Sequence, residues 1–181
     1  MDRRELIKTI AVFTGAAFVG GDLFLSGCNT SNEPIFNRDD IAFFDEVGET
    51  ILPRTDTPGA KDARVGAFMA LYASDCYEVI QQHTLKQGIT QLNNVSRKKF
   101  KLSFMQLSAE QKNTLLTGID EEAKRHNNNK DTTPHYFTLM KQLVLLGFFT
   151  SKAGATEVLR YRPVPGGYHG CVDYNGETAW S

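Results

Sequence analysis

Apolar residues recur at helical spacing along most of this chain, and polar breaks divide the pattern into separate helices. Asn37 is placed to cap a first helix in which Ile41, Phe44, Val47 and Ile51 share one face. Pro53 ends it, because the residue before a proline is pushed out of the α region. Arg54 to Gly59 reads as a turn-rich loop whose Asp and Thr side chains can hold the backbone. A resumed helix carries Val65, Phe68, Met69, Tyr72, Cys76, Val79 and Ile80 on its apolar face. Gly88 interrupts it, and a further piece from Ile89 to about Lys101 turns Leu92, Val95 and Phe100 inward.

Ser108-Ala109-Glu110-Gln111 is a capping box, with Leu107 able to staple onto a helix that lines up Leu115, Leu116 and Ile119. Arg125 to Asp131 is a polar surface loop, and Thr133-Pro134 opens the next helix with proline at its first position. That helix carries Tyr136, Phe137, Leu139, Met140, Leu143, Val144, Gly147 and Phe148, apolar on more than one face, which marks it as the central one. Its aromatic end, Leu145 to Phe149, runs into a short polar helix. Beyond that, Tyr161 to Tyr168 cannot be regular structure, since Pro163 and Pro165 delete amide donors and Gly166-Gly167 permits positive φ. No alternating strand pattern and no internal repeat is visible. The expected fold is all-α, an irregular helical bundle with an extended Pro/Gly-rich C-terminal tail.

The first residues read differently. Charged Met1 to Lys8 precedes a mildly apolar run, Thr9 to Leu25, and small residues before Cys28, which is the layout of a secretory signal. Arg3, Arg4, Leu6 and Lys8 resemble a twin-arginine export signal, although Asp2 stands where Ser or Thr is usual. Asp22 and the glycines make the run a poor membrane span. Leu25-Ser26-Gly27-Cys28 looks like a lipobox, which would place a lipidated Cys28 at the mature N-terminus. The competing reading makes 1–28 an ordinary buried helix with Cys28 merely small and apolar. The organisation expected is a signal segment 1–28, a tether 29–37, a helical domain 38–160 and an irregular docking tail 161–181. The chain would then lie on the periplasmic side of a bacterial envelope, held to the membrane by its lipid.

Charge changes the picture little. The formal net charge is −1, and removing residues 1–27 takes away three basic and three acidic side chains, leaving it unchanged. No global field recruits nucleic acid or acidic lipid. The one basic cluster, Arg97-Lys98-Lys99 with Lys101, reads as a solvated helix end.

Chemistry-bearing patterns are sparse. His83, His126, His135 and His169 form no metal-ligand spacing, and a lone His169 in a Gly-Tyr-His-Gly turn reads as a surface residue. Asp45, Glu46, Asp56 and Asp120-Glu121-Glu122 fit solvated charge and capping rather than a converging acid–base pair. No GxSxG, phosphate-binding loop, dinucleotide fingerprint or CxxCH occurs in a fitting context, so no catalytic, cofactor or metal residue is expected on this chain. Cys76 and Cys171 remain after Cys28, and three readings stay open: a bridge between them, a bond from Cys171 to another chain, or a buried free Cys76. The apolar face that carries Cys76 favours the last.

Three stretches, ILPRTDTPGA (51–60), LLGFFTS (145–151) and PVPGGYHGC (163–171), resemble the gluconate 2-dehydrogenase subunit 3 family. The resemblance covers most of the chain after the leader. It implies a small helical subunit of a secreted dehydrogenase complex whose large partner, of the glucose-methanol-choline oxidoreductase type, holds the FAD. It also implies an electron acceptor such as a cytochrome c-type subunit, and an escort role that carries the folded, signal-less flavoprotein through the twin-arginine pore. The expected partner surface comprises Phe148, Phe149, Tyr161, Pro163, Pro165, Gly166, Gly167, Tyr168 and Cys171. The alternative is a stand-alone envelope lipoprotein that binds a ligand in its bundle, with Tyr161 and Tyr168 packing back onto Phe148 and Phe149.

Overall fold

Five α-helices build the domain in a computed structural model that describes residues 34–128, 134–164, 166–167, 170–171 and 173–180. They are α1 (Arg38–Ile51), α2 (Val65–Cys76), α3 (Val79–Phe100), α4 (Ala109–Asn127) and α5 (Tyr136–Phe149). A 3-10 turn at Phe104–Gln106 and a π-helical turn at Gly154–Val158 complete the regular structure. Among the described residues a single parallel bridge, Arg160 with Trp180, stands where a sheet would. None of their helices is long and apolar enough to cross a membrane. The export residues Arg3, Arg4, Leu6 and Lys8, the lipid site Cys28 and the loop tip 129–133 lie outside the described residues.

α1 begins where its cap was expected. Asn37 Oδ1 accepts the Asp40 amide at 2.9 Å, and the Asp40 carboxylate accepts the Asn37 amide at 2.8 Å. The same carboxylate is ion-paired with Lys86, which ties α3 to the start of α1. Phe36, expected in the tether, is 3% exposed, with its ring 5.4 Å from that of Phe44. Phe36 thus belongs to the core rather than to the tether expected at 29–37, because an aromatic residue beside the cap can join the core.

The next helix divides in two. Tyr77 is extended, and α3 restarts at Val79. The Gln82 side-chain amide nitrogen lies 3.0–3.1 Å from the carbonyls of Ala73, Ser74 and Tyr77, covering the orphaned acceptors at the end of α2. Val79 and Ile80, expected inside, are 67% and 58% exposed because they start a new helix with a new facing. Gly88 does not interrupt: α3 runs through it without a break. A Cβ there would stand 2.7–2.9 Å from the Tyr136 side chain, so the glycine marks a close helix crossing. Val95 points outward and Ser96 takes the buried position, its hydroxyl donating to the Leu102 carbonyl at 2.8 Å.

Ser108 and Gln111 form the expected capping box on α4, at 3.3 and 3.0 Å. α4 continues through Arg125 and His126 to Asn127, so the polar loop starts later than its composition implied. At α5 the cap is His135, whose Nδ1 accepts the Phe137 amide at 3.2 Å, and Pro134 stands one residue outside it. Asn127 holds this start in place, accepting the His135 amide at 3.2 Å and donating to the Thr138 hydroxyl at 2.7 Å. α5 packs on all four other helices, as its all-round apolar pattern predicted. Phe44, Met69, Leu85, Leu92, Phe104, Phe137, Met140 and Leu143 are sealed from solvent.

Candidate partner-docking surface

Two regions carry the motifs singled out in the sequence, and they differ in kind. The first, residues 52–64, is clamped by carboxylates. Glu49 accepts the amides of Arg54 and Lys61, both at 2.9 Å, and Asp62 accepts the Gly59 amide at 2.9 Å and the Arg54 guanidinium at 3.0 Å. The expected holders do less, since the hydroxyls of Thr55 and Thr57 only approach each other at 3.5 Å. A Cβ on Gly59 would fall 2.6 Å from the Arg54 nitrogen and 2.7 Å from the Glu49 carboxylate, so the clamp closes around a residue with no side chain.

A cleft of about 710 Å³ opens beside this loop, lined in part by Glu46, Glu49, Thr50, Pro53 and Lys112. Two of its carboxylates, Glu46 and Glu49, are already committed. Glu46 bonds Lys112 at 2.6 Å and is ion-paired with Lys61. Burial pushes the Glu46 carboxyl up, but the two ammonium groups together outweigh it and hold it below its usual value. No group of three or more metal-ligating side chains forms among the described residues.

The second region starts at the end of α5. Phe148 was expected at the partner surface, but it is 3% exposed and belongs to the core. Position 148 falls on the inward stripe with Val144, and Phe149 falls on the outward one with Leu145 and Leu146. Phe149 is 36% exposed and meets Phe148 edge-on at 5.2 Å. The polypeptide then passes through the π-helical turn, where Ser151 Oγ donates to the Phe148 carbonyl at 2.6 Å and accepts the Gly154 amide at 3.0 Å.

Beyond Leu159 the tail is irregular among its described residues, as expected. Its two ends meet: the Arg160 amide donates to the Ala179 carbonyl at 2.7 Å. The Arg160 guanidinium stacks 3.8 Å from the Trp180 ring centroid and bonds Glu177 at 2.7 Å. Tyr161 is 57% exposed rather than packed back onto Phe148 and Phe149, and Val164 and Tyr174 are exposed still further. Pro163, Gly166, with φ of 77°, Gly167 and Cys171 also lie open to solvent, while Pro165, Tyr168 and His169 lie outside the described residues.

Cys76 and Cys171 are both free and exposed. The buried-thiol reading of Cys76 is corrected by the break after it. At the last position of α2, residue 76 sits past the inward turn formed by Met69, Ala70 and Ala73. Sequence reasoning missed Arg160, Glu177, Trp180, Val164 and Tyr174. The available signal was weak: one tryptophan and four scattered charges in a segment otherwise rich in Gly and Pro.

No curated relative and no solved structure gives a significant match to the chain. One family model does match, over residues 38–166, a span that begins at α1, takes in every helix and the clamped loop, and continues past the last helical turn to Gly166. The chain therefore belongs to the gluconate 2-dehydrogenase subunit 3 family, a family of dehydrogenase-complex subunits.

Proposed function

We propose that this protein is a non-catalytic accessory subunit. It binds a large FAD-containing dehydrogenase of the glucose-methanol-choline type, supports its folding, and escorts it through the twin-arginine route. Lipidated Cys28 then tethers the complex on the periplasmic side of the membrane, where a cytochrome c-type subunit takes the electrons. Catalysis and the flavin belong to the partner, and the oxidised substrate is a sugar or polyol.

The observation that carries this reading is the exposed aromatic segment after α5. Tyr161 and Val164 lie in the family-matched span and yet stand in solvent, contributing nothing to the bundle core. Exposed aromatic and aliphatic side chains on a Pro-restricted backbone suit docking, because little conformational freedom is lost when they are covered. The twin-arginine pattern fits the same role, since that route carries cargo already folded.

Deletion of residues 161–181 tests it. The expected result is a dehydrogenase subunit that stays in the cytoplasm while the truncated bundle is still exported. Normal export of active dehydrogenase by the truncated chain would contradict the reading.

A further inference from the structure

We infer that the end of α3 and the turn after it form a basic, partly apolar corner that lies on an anionic lipid surface. This rests on the proposed membrane location of the protein and adds which part of the bundle meets the bilayer.

No Asp or Glu occurs between Glu78 and Glu110, so α3 and the turn beyond it carry positive charge alone. Lys86, midway along α3, is ion-paired with Asp40. Arg97, Lys98, Lys99 and Lys101 are all exposed, and none of them forms an ion pair among the described residues. Leu92 and Ser96 take the inner side of the helix end. A rotation of about 100° per residue therefore spreads Arg97, Lys98 and Lys99 around its outer side. Leu102, 42% exposed, and Met105, 45% exposed, follow directly, and Val95 stands outward one turn before Lys99.

A helix C-terminus attracts cations by itself, which accounts for Arg97, Lys98 and Lys99 in the last turn. It does not account for Lys101. That residue ends α3 in the left-handed conformation, with φ 61° and ψ 13°, and its amide donates to the Arg97 carbonyl at 2.9 Å. Glycine fills such a position without steric penalty, whereas a side chain strains it. A further cation thus stands where the fold alone favours glycine. Nor does the dipole explain the exposed Leu102 and Met105. Cations interleaved with exposed aliphatic groups suit the headgroup boundary, where ammonium groups meet lipid phosphates and aliphatic side chains enter below them.

The occupant is a bilayer rather than a protein for two reasons. Cations that leave a helix in different directions suit a fluid surface whose headgroups move to each of them, whereas a folded partner needs carboxylates fixed to match. With Cys28 lipidated, moreover, the stretch from Cys28 to the core residue Phe36 spans at most about 30 Å, which keeps the bundle within reach of the membrane.

The test uses the full chain carrying Cys28→Ser, which has no lipid of its own. It is sedimented with vesicles of equimolar phosphatidylglycerol and phosphatidylcholine, or of phosphatidylcholine alone, and its thermal midpoint is measured. The apolar leader is common to every variant, so differences between variants report the corner. Lys98→Gln/Lys99→Gln is expected to bind the mixed vesicles about 25-fold more weakly, at about fivefold per cation. Lys101→Gly is expected to bind about fivefold more weakly and yet unfold at a higher temperature, since it loses a cation and relieves the backbone. Leu102→Gln/Met105→Gln, with every cation kept, is expected to bind more weakly too. Vesicles of phosphatidylcholine alone are expected not to distinguish the charge variants from the parent.

Equal affinity of the parent, Lys98→Gln/Lys99→Gln and Lys101→Gly for the mixed vesicles overturns the inference, and a native Cys28 found lipidated by mass spectrometry would leave the tether standing. An unlipidated native Cys28 beside the expected vesicle losses overturns the tether and leaves the corner. Unchanged affinity in Leu102→Gln/Met105→Gln overturns the part given to the aliphatic side chains. Charge-dependent binding to the purified dehydrogenase subunit, with no binding to vesicles, would assign the corner to that partner and overturn the inference.

Discussion

Three ionisable clusters set the acid sensitivity of the fold. Burial pushes the His135 imidazole below its ordinary value of 6.5; the Glu122 carboxylate pulls it up and nearby His126 pushes it down further. Its Nδ1 must stay unprotonated to accept the Phe137 amide, so the native state favours the neutral ring. Below pH 6.5 the unfolded chain takes up a proton that the folded one resists. The contribution is therefore complete above 6.5 and lost as pH falls through the folded value. His135→Asn keeps a cap acceptor that does not titrate. It is predicted to show a smaller fall in thermal midpoint between pH 7.5 and 5.5 than the wild type, and an equal fall would refute the assignment.

Glu46 gives a second prediction of its own kind. Lys112 is only 9% exposed, and Glu46 is the carboxylate that pairs with it at 2.6 Å. Glu46→Gln leaves a nearly buried ammonium without its counter-charge and is predicted to cost about 2 kcal/mol in denaturant unfolding, whereas Lys112→Met is predicted to cost little. The depressed carboxyls of Glu46 and Asp120, the latter held down by hydrogen bonds from Lys124 and Lys141, support the fold above about pH 4.5. That support disappears as pH falls through their folded values.

The helices show what a single chain's pattern can and cannot reveal. The caps at Asn37 and Ser108 and seven of the eight inward positions of α5 were legible, because each follows from chemistry local to one helix. The break at Tyr77-Glu78 was not, because it depends on Gln82 reaching back to three carbonyls. Gly88 was misread for a related reason: its role is set by Tyr136, far away in sequence. Helix propensity alone favours alanine over glycine there by about 1 kcal/mol. The added methyl would meet the Tyr136 ring at 2.7 Å. Gly88→Ala is therefore predicted to lower stability by about 1–3 kcal/mol, since overpacking outweighs propensity. A stabilised variant would mean that α3 and α5 can slide apart at little cost.

For the whole molecule, the division of labour follows from where the exposed apolar groups stand. The bundle buries its core around α5, and the sequence pattern of that helix was enough to foresee the all-α architecture. The Arg160–Trp180 contact was beyond reach of the pattern, since periodicity carries no signal in an irregular segment and no regular element stands among the described residues between the two. Positions 148 and 149 were both assigned to the partner surface, yet one residue of helical rotation separates core from solvent. The clamped loop at 52–64 supports the bundle, and the tail presents side chains that the bundle does not use.

The most direct measurement is purification of the tagged full chain from its own cells, followed by flavin absorbance and sugar-oxidising activity of each component. The prediction is a larger co-eluting subunit that carries all the flavin and all the activity, with this chain colourless and inactive once separated. A separated chain that bound flavin stoichiometrically, or oxidised a sugar by itself, would contradict the account.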